Sequence, residues 1–131
     1  MLKKILIGVI LFYVLVVVGF ESMLGYTQPE NQGTLVITTY DNGEANDRVV
    51  TRIHVDDELY VAVNHWPRLW YWRLLDEPVV NVRYGEVDGR FKAEAVEGSD
   101  ADRVDAARPL GLVFRILTGF PPRRFVRLTV I

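Results

Sequence analysis

Residues 65–78 read HWPRLWYWRLLDEP and contain all three tryptophans of the chain. Within this stretch, PRLWYWRLL opens with Pro67, lacks β-branched residues and stops before the sequence DEP, so it predicts a helix of about two turns over residues 67–75. Trp70 and Leu74 are four residues apart and therefore share one face of that helix. We expect these two side chains to pack on the protein core, which leaves the other aromatic side chains to face elsewhere.

The segments on both sides of this helix show the two-residue period of β-strands. They are rich in β-branched and aromatic residues and are mostly separated by a few turn-forming residues. Asp56-Asp57, for example, leaves room only for a tight hairpin connection. The predicted strands cover residues 34–40, 48–55, 58–64, 79–84, 90–96 and 125–131. Such strands predict a small antiparallel barrel, because closing the sheet removes its exposed edges.

Two further helical segments separate the last two strands. Ser99 and Asp102 have the spacing of a capping box, which predicts a helix introduced by Ser99. Pro109 interrupts this helix, and residues 110–119 are expected to continue it at a new angle. The predicted fold class is therefore mainly β, a six-stranded antiparallel barrel with flanking helices, preceded by one N-terminal transmembrane helix.

The N-terminal helix is predicted from residues 5–20, ILIGVILFYVLVVVGF, which contain no charge and no proline. At about 1.5 Å per residue this run almost covers a hydrocarbon core of about 30 Å. A cleavable signal peptide is the alternative, but the following sequence ESMLGYTQP offers no A-x-A-like cleavage site. We expect an uncleaved anchor.

The distribution of basic residues predicts how the anchor is oriented. Lys3 and Lys4 precede the apolar run, and the next basic residue is Arg48. The positive-inside rule then places the N-terminus in the cytoplasm and the body outside it, in a single-pass arrangement. The predicted domains are an anchor over residues 1–20, a linker over residues 21–33 and a barrel domain over residues 34–131.

Composition argues against several functional classes. The chain has 15 basic and 17 acidic residues, and two of the basic ones lie before the apolar run, so the body is mildly acidic and nucleic acid is not an expected partner. The absence of cysteine rules out a disulfide framework, a thiol nucleophile and a cysteine zinc site. His54 and His65 are the only histidines, and their spacing matches no common metal-ligand pattern, so we expect no metal site.

Residues 67–80, PRLWYWRLLDEPVV, resemble the signature of the deazaflavin-dependent nitroreductase family, which reads roughly P-x-x-W-Y-x-N-L-x-A-N-P-x-V. Trp70, Tyr71, Leu74 and Pro78 fall on matching positions. The resemblance extends more weakly over the predicted barrel. Members of that family are similar to the flavin-binding split barrels, so the resemblance implies a six-stranded antiparallel split barrel, in agreement with the strand order predicted above.

The resemblance also implies a function. It suggests a membrane-anchored oxidoreductase that holds a deazaflavin coenzyme or FMN in the barrel cleft and passes hydride to or from a nitroaromatic or quinone-like acceptor. A homodimer is a family-level expectation. The candidates for a catalytic residue are His65 and Tyr71. The strand that ends before the helix should bring one set of side chains to the barrel mouth as a cofactor site, namely Asn64, His65, Trp66, Arg68, Trp70, Tyr71 and Arg73.

The chain departs from the family pattern in three places, one of which is Asp76-Glu77 where the family usually has alanine and asparagine before the proline. Arg73 replaces the usual asparagine, and residues 40–47, predicted as the loop after the first strand, carry three carboxylates where the family has basic residues. Carboxylates repel an anionic cofactor tail. The alternative function is therefore a non-catalytic envelope binding module on the same barrel, with cofactor binding lost. If a cofactor binds, its phosphate needs another cation, and the candidates are Arg48, Arg52, Arg68 and Arg73.

Overall fold

The fold is built from ten helices and strands in the part of the chain that the structure describes, a computed structural model covering residues 1–26, 32–64, 66 and 69–131. The order of elements along the chain agrees with the predicted one. The elements are α1 (Leu2–Tyr26), β1 (Thr34–Asp41), β2 (Glu44–Val55), β3 (Glu58–Val63), α2 (Leu69–Asp76), β4 (Val79–Tyr84), β5 (Val87–Val96), α3 (Ser99–Ala107), α4 (Leu112–Thr118) and β6 (Arg124–Val130).

The six strands form a closed barrel in the order β1-β2-β3-β6-β5-β4, and every neighbouring pair is antiparallel. Pairing of β1 with β4 closes the barrel, so no strand is left with an open edge along its whole length. The predicted fold class, a six-stranded antiparallel barrel with flanking helices and an apolar N-terminal helix, is confirmed.

Two hairpins turn through residues with positive φ. Asp56 and Asp57 have φ of 51° and 64°, and Asn42 and Gly43 have φ of 52° and 85°. Positive φ at both central residues is what a type I′ turn requires, and its twist matches that of the strands. The tight turn at Asp56-Asp57 is confirmed. The predicted loop over residues 40–47 is wrong, because Asn42-Gly43 turns the chain directly and Asp41 pairs with Glu44.

The strands are buried on two faces. Leu59, Val61 and Val63 of β3 point into the barrel core, whereas Tyr60 and Ala62 belong to a second cluster outside it. Alternate side chains of a strand point to opposite faces, so the outer cluster needs its own cover. That cover is α3, which contributes the fully buried Val104.

Helix α2 packs on the inner core, as predicted. Trp70 is 2% exposed and Leu74 is 0% exposed, and both join the barrel cluster together with Tyr71. The helix contacts β1 and β5. The prediction that Trp70 and Leu74 anchor this helix is confirmed, because residues four apart occupy one helical face.

The start of α3 differs from the prediction. The N-cap is Gly98, with φ of 64°, and no side chain caps the helix. This region of backbone space is favourable for glycine and costly for other residues, so Gly98 turns the chain and Ser99 is already helical. The predicted capping box is therefore not formed, although Asp100 and Asp102 lie in the first turn, where carboxylates favour the helix dipole.

Helix α1 extends beyond the predicted anchor boundary at residue 20 and ends at Tyr26. Its segment Leu2–Leu24 is long and apolar enough to cross a membrane, judged by length and composition. The first part of the predicted linker is thus helical, and residues 27–31 lie outside the described residues. The division into anchor, linker and barrel domain stays a prediction.

Candidate functional site

A cavity of about 610 Å³ lies between the start of β2 and the outer side of α2, and we call it the α2 cleft. Helix α2 packs on β1 through its buried face, so its other side is left to line the cavity. The lining residues are Asn46, Asp47, Arg48, Leu69, Trp70, Trp72 and Arg73.

Three of the four α2 residues that line the cleft share one helical face. Leu69, Trp72 and Arg73 are three and four residues apart, so they lie together on the side of the helix away from Leu74. Trp72 is 46% exposed, which leaves a large part of its indole surface open to a ligand. Arg73 is half-buried beside it. This face offers a flat apolar ring next to a guanidinium group.

The β2 side of the cleft adds a second guanidinium and one carboxylate. Arg48 is half-buried, and Asp47 accepts a hydrogen bond of 2.6 Å from the Thr38 hydroxyl. Asp41 and Glu44 lie at the tip of the hairpin and do not line the cleft. Of the three carboxylates predicted to repel an anionic tail, one therefore lines this cavity, together with two arginines.

A third arginine stands next to the cleft aromatics. The Arg124 guanidinium carbon lies 5.6 Å from the Tyr71 ring centroid and 5.8 Å from the Trp72 ring centroid. Tyr71 and Trp72 pack edge to face, with centroids 5.1 Å apart. The Arg124 Nε is buried and has no hydrogen-bond partner among the residues that the structure describes. Sequence reasoning missed Arg124, because it lies 52 positions from Trp72 and no local pattern connects the two.

The predicted site residues do not lie together. Trp70 and Arg73 line the α2 cleft, and Tyr71 lies beneath Trp72 with 4% of its surface exposed. His65 and Arg68 lie outside the described residues.

Asn64 and Trp66 face a different part of the protein. The Trp66 indole donates a 2.7 Å hydrogen bond to the Thr118 carbonyl of α4, and its backbone N–H donates to Glu21 of α1 at 3.3 Å. Asn64 accepts a 2.8 Å hydrogen bond from the Arg123 Nε. The expectation of one pocket assumed that the end of the strand leads straight into the helix mouth. In the structure, the residues that follow β3 instead form hydrogen bonds with Thr118 of α4 and with Arg123, which precedes β6.

Arg123 has a structural role, because its guanidinium group is bonded to other residues of the protein. Its Nη1 lies 2.6 Å from Asp105 and also donates to the Arg108 carbonyl. Burial lowers the pKa of Arg123 from its ordinary value, and the hydrogen bond to Asp105 opposes that shift. With its Nε on Asn64, this guanidinium ties the end of β3 to α3.

A second polar cluster fastens α3 to the barrel. The Tyr60 hydroxyl accepts hydrogen bonds from Arg103 at 3.0 Å and from Arg127 at 3.4 Å, and it donates to Glu58 at 3.2 Å. The hydrogen bond to Tyr60 is the largest cause of the raised pKa of Arg127. The charged groups of this cluster also form ion pairs with one another, between Arg127 and Glu58 at 2.5 Å and between Arg103 and Asp56, which leaves little capacity for a ligand. Within the described residues, no three histidine or carboxylate side chains are grouped to hold a metal ion.

No family model matches the chain, and no curated protein sequence matches it significantly. Solved structures do. The heme storage protein HutZ from Vibrio cholerae is 18% identical with a TM-score of 0.60, and the match covers 77% of this chain and 83% of HutZ. An F420-H2-dependent reductase, FDR-A, is 16% identical with a TM-score of 0.56, covering 77% and 98% of the two chains.

A FAD-binding protein from Mesorhizobium loti is 14% identical with a TM-score of 0.52, and the match covers 76% of this chain and 79% of that protein. Likeness at this level of identity shows the fold and leaves function to be argued from the site. The protein is, in fold, a split barrel of the kind shared by these reductase, flavin-binding and heme-binding structures.

Proposed function

We propose that this protein is a membrane-anchored oxidoreductase that binds a deazaflavin or flavin coenzyme in the α2 cleft. The observation that carries the proposal is that the exposed Trp72 lines one cavity together with two arginines, Arg48 and Arg73. The structural neighbours named for F420-H2 and FAD support the class of ligand, since F420 is a deazaflavin and FAD a flavin.

The residues of the cleft fit such a coenzyme. Its volume of about 610 Å³ lies within the range of about 300–1,000 Å³ typical of small-molecule sites. A planar ring system can stack on Trp72, and a guanidinium fork binds a phosphate through two hydrogen bonds. Arg48 and Arg73 would hold the anionic tail, and Asp47, already hydrogen-bonded to Thr38, reduces but does not cancel their positive charge.

When bound, the coenzyme would supply hydride transfer with a nitroaromatic or quinone-like acceptor. The protein binds and orients it. Trp72 supplies a wall of the cleft, and Tyr71, which is 4% exposed behind Trp72, holds that indole by edge-to-face packing. Arg124 adds positive charge on the same pair of rings. Because Tyr71 is covered, we assign it a positioning role, and His65 remains the candidate proton donor.

Trp72→Ala tests this assignment against a matched tryptophan. Trp72 and Trp66 are 46% and 44% exposed, but only Trp72 lines the α2 cleft. Stacking a planar base on an aromatic side chain contributes about 1–3 kcal/mol, so Trp72→Ala should weaken coenzyme binding about 5- to 150-fold. Trp66→Ala should leave it unchanged. The measurement is a fluorescence titration of the full chain, in detergent micelles, with FMN and with a deazaflavin.

A charge variant completes the titration. Arg73→Ala should weaken FMN more than riboflavin, which lacks the phosphate, because the guanidinium acts on the tail rather than on the ring. Equal dissociation constants for the native chain, Trp72→Ala and Arg73→Ala would show that the coenzyme does not bind in the α2 cleft. If the native chain binds neither coenzyme, the oxidoreductase proposal fails.

One observation favours a second function, a non-catalytic binding module in the cell envelope that has lost its cofactor. Asp47 lines the cleft, and Asp41 and Glu44 are exposed on the same hairpin, so the hairpin that forms one side of the cavity is acidic. HutZ is described as a storage protein, which is a binding role on this fold. This function predicts that the native chain leaves both coenzyme titrations flat.

The proposal places the barrel outside the cytoplasm, on the far side of a membrane spanned by α1. Lys3 and Lys4 precede the apolar helix, so the positive-inside rule keeps the N-terminus in the cytoplasm. An alkaline phosphatase fused after Ile131 should be active, and a cytoplasm-dependent fluorescent protein at the same place should be dark. As a control, changing both lysines to glutamine should give a mixed signal. A bright cytoplasmic reporter on the native chain would reverse the topology.

A further inference from the structure

We propose that α4 and Phe120 are embedded among lipid acyl chains in the membrane leaflet on the side of the barrel. This inference rests on the proposed anchoring of α1 in the membrane and does not depend on the coenzyme. Four large apolar side chains of this segment are exposed, at 66% for Leu112, 72% for Val113, 42% for Ile116 and 56% for Phe120. We call these four side chains the α4 surface.

The α4 surface continues the apolar surface of α1. The Tyr13 hydroxyl donates a 2.8 Å hydrogen bond to the Ile116 carbonyl, and the rings of Phe20 and Phe114 meet edge to face at 5.7 Å. Between these two contacts the helices approach closely, because a Cβ on Gly119 would lie 3.2 Å from a methyl group of Val17. Positions 13, 17 and 20 share one face of α1.

The positions of these contacts along α1 set the depth of α4. The apolar run of α1 ends at Phe20 and is followed by Glu21, so Phe20 marks the membrane boundary on the side of the barrel. Tyr13 lies seven residues earlier, which is about 10 Å further along the helix axis. One leaflet contributes about 15 Å of hydrocarbon. A helix that touches both Phe20 and Tyr13 therefore lies within that leaflet if α1 spans the membrane.

The C-terminal carbonyls of α4 suit a site without water. A helix leaves its last four carbonyls without helical partners, and in hydrocarbon each unsatisfied group is costly. Three of these four have partners, as the Arg115 carbonyl accepts from the Phe120 N–H at 2.9 Å, the Ile116 carbonyl from Tyr13, and the Thr118 carbonyl from the Trp66 indole at 2.7 Å. The Thr118 hydroxyl is fully buried and donates to the Phe114 carbonyl.

Charge around α4 also favours a lipid surface. Residues 108–131 contain five arginines and no aspartate or glutamate, although the chain as a whole has more acidic than basic residues. Arg108 and Arg115 are exposed. Long arginine side chains extend from a buried helix to the headgroup phosphates, and anionic lipids attract them. The apolar surface of α4 would meet the acyl chains of the leaflet, and the cations at its border would meet the headgroup phosphates.

A matched pair of valines provides the test. Val113 and Val130 are 72% and 71% exposed, and Val130 lies at the far end of β6, about 20 Å along the strand from Arg124. The chain has no cysteine, so Val113→Cys and Val130→Cys each create one labelling site. The full-length variants carry an environment-sensitive fluorophore and are reconstituted in phosphatidylcholine–phosphatidylglycerol vesicles with or without brominated acyl chains. Leu112→Cys is a second reporter in case Val113→Cys folds poorly.

The label at residue 113 should emit at shorter wavelength, lose at least half its intensity to brominated lipid and resist aqueous iodide. The label at residue 130 should show the reverse. Equal iodide quenching at both positions would overturn the proposal. A blue-shifted label at residue 113 that brominated lipid does not quench would also overturn it, and would indicate that a second copy of the chain covers the α4 surface. Extraction of the native chain by alkaline carbonate would refute the anchor itself, whereas failed coenzyme titrations leave this result unaffected.

Discussion

Leu74→Ala should lower the free energy of unfolding by about 2–5 kcal/mol, because it removes a fully buried side chain and leaves a cavity where α2 packs on the barrel. Leu74 is 0% exposed and belongs to the inner core cluster. Urea unfolding of the full chain in detergent micelles, followed by tryptophan fluorescence, measures the loss, since the buried Trp70 reports on the same interface.

The neighbouring leucine is the control for that measurement. Leu75 is 42% exposed on the same helix, so Leu75→Ala should change the free energy of unfolding by no more than about 0.5 kcal/mol. Both variants replace leucine by alanine in the same helix, so they differ only in how deeply the leucine side chain is buried. Similar small losses for both would show that α2 is not docked on the barrel through Leu74.

Phe125→Ala should lower the free energy of unfolding by about 3–5 kcal/mol, because this ring fills the outer core cluster between the barrel and α3. Phe125 is 2% exposed, packs with Tyr60 and Val104, and has the guanidinium carbon of Arg123 4.8 Å from its ring centroid. The truncation therefore removes both apolar contact and a cation–π partner. The same urea experiment measures the effect.

Phe120→Ala is the matched change outside the core. Phe120 is 56% exposed and lies on the α4 surface, so its truncation should cost little stability in micelles. A loss at Phe125 no larger than that at Phe120 would mean that α3 does not cover a second core. The expected large loss at Phe125 would show that the outer cluster contributes to stability independently of the inner cluster, to which Phe125 does not belong.

The strands and short helices could be predicted from the sequence because their signals are local. Alternation of apolar residues within a strand has a period of two, and it marked all six strands to within a few residues. The spacing of Trp70 and Leu74 predicted the buried face of α2 for the same kind of reason. The hairpin at Asn42-Gly43 carries an equally local signal, and it was missed because the family resemblance favoured a loop there.

The site could not be predicted in full from the sequence, because it depends on contacts between residues far apart in the chain. Trp66 lies 52 positions from Thr118, and Arg124 lies the same distance from Trp72. Periodicity within a segment says which side of an element faces a core, but it does not say which distant element covers that side.

By itself, the sequence determined a six-stranded antiparallel barrel, an apolar N-terminal helix and a docked helix bearing Trp70 and Leu74. The tertiary structure decided how the three neighbouring tryptophans divide, with Trp70 in the core, Trp72 at the α2 cleft and Trp66 on α4. The position of Trp66 follows from the hydrogen bond that its indole N–H makes. A partly buried indole N–H needs an acceptor, and the pairing of Val63 in β3 with Arg124 in β6 brings the segment before β6, with the Thr118 carbonyl, close to Trp66.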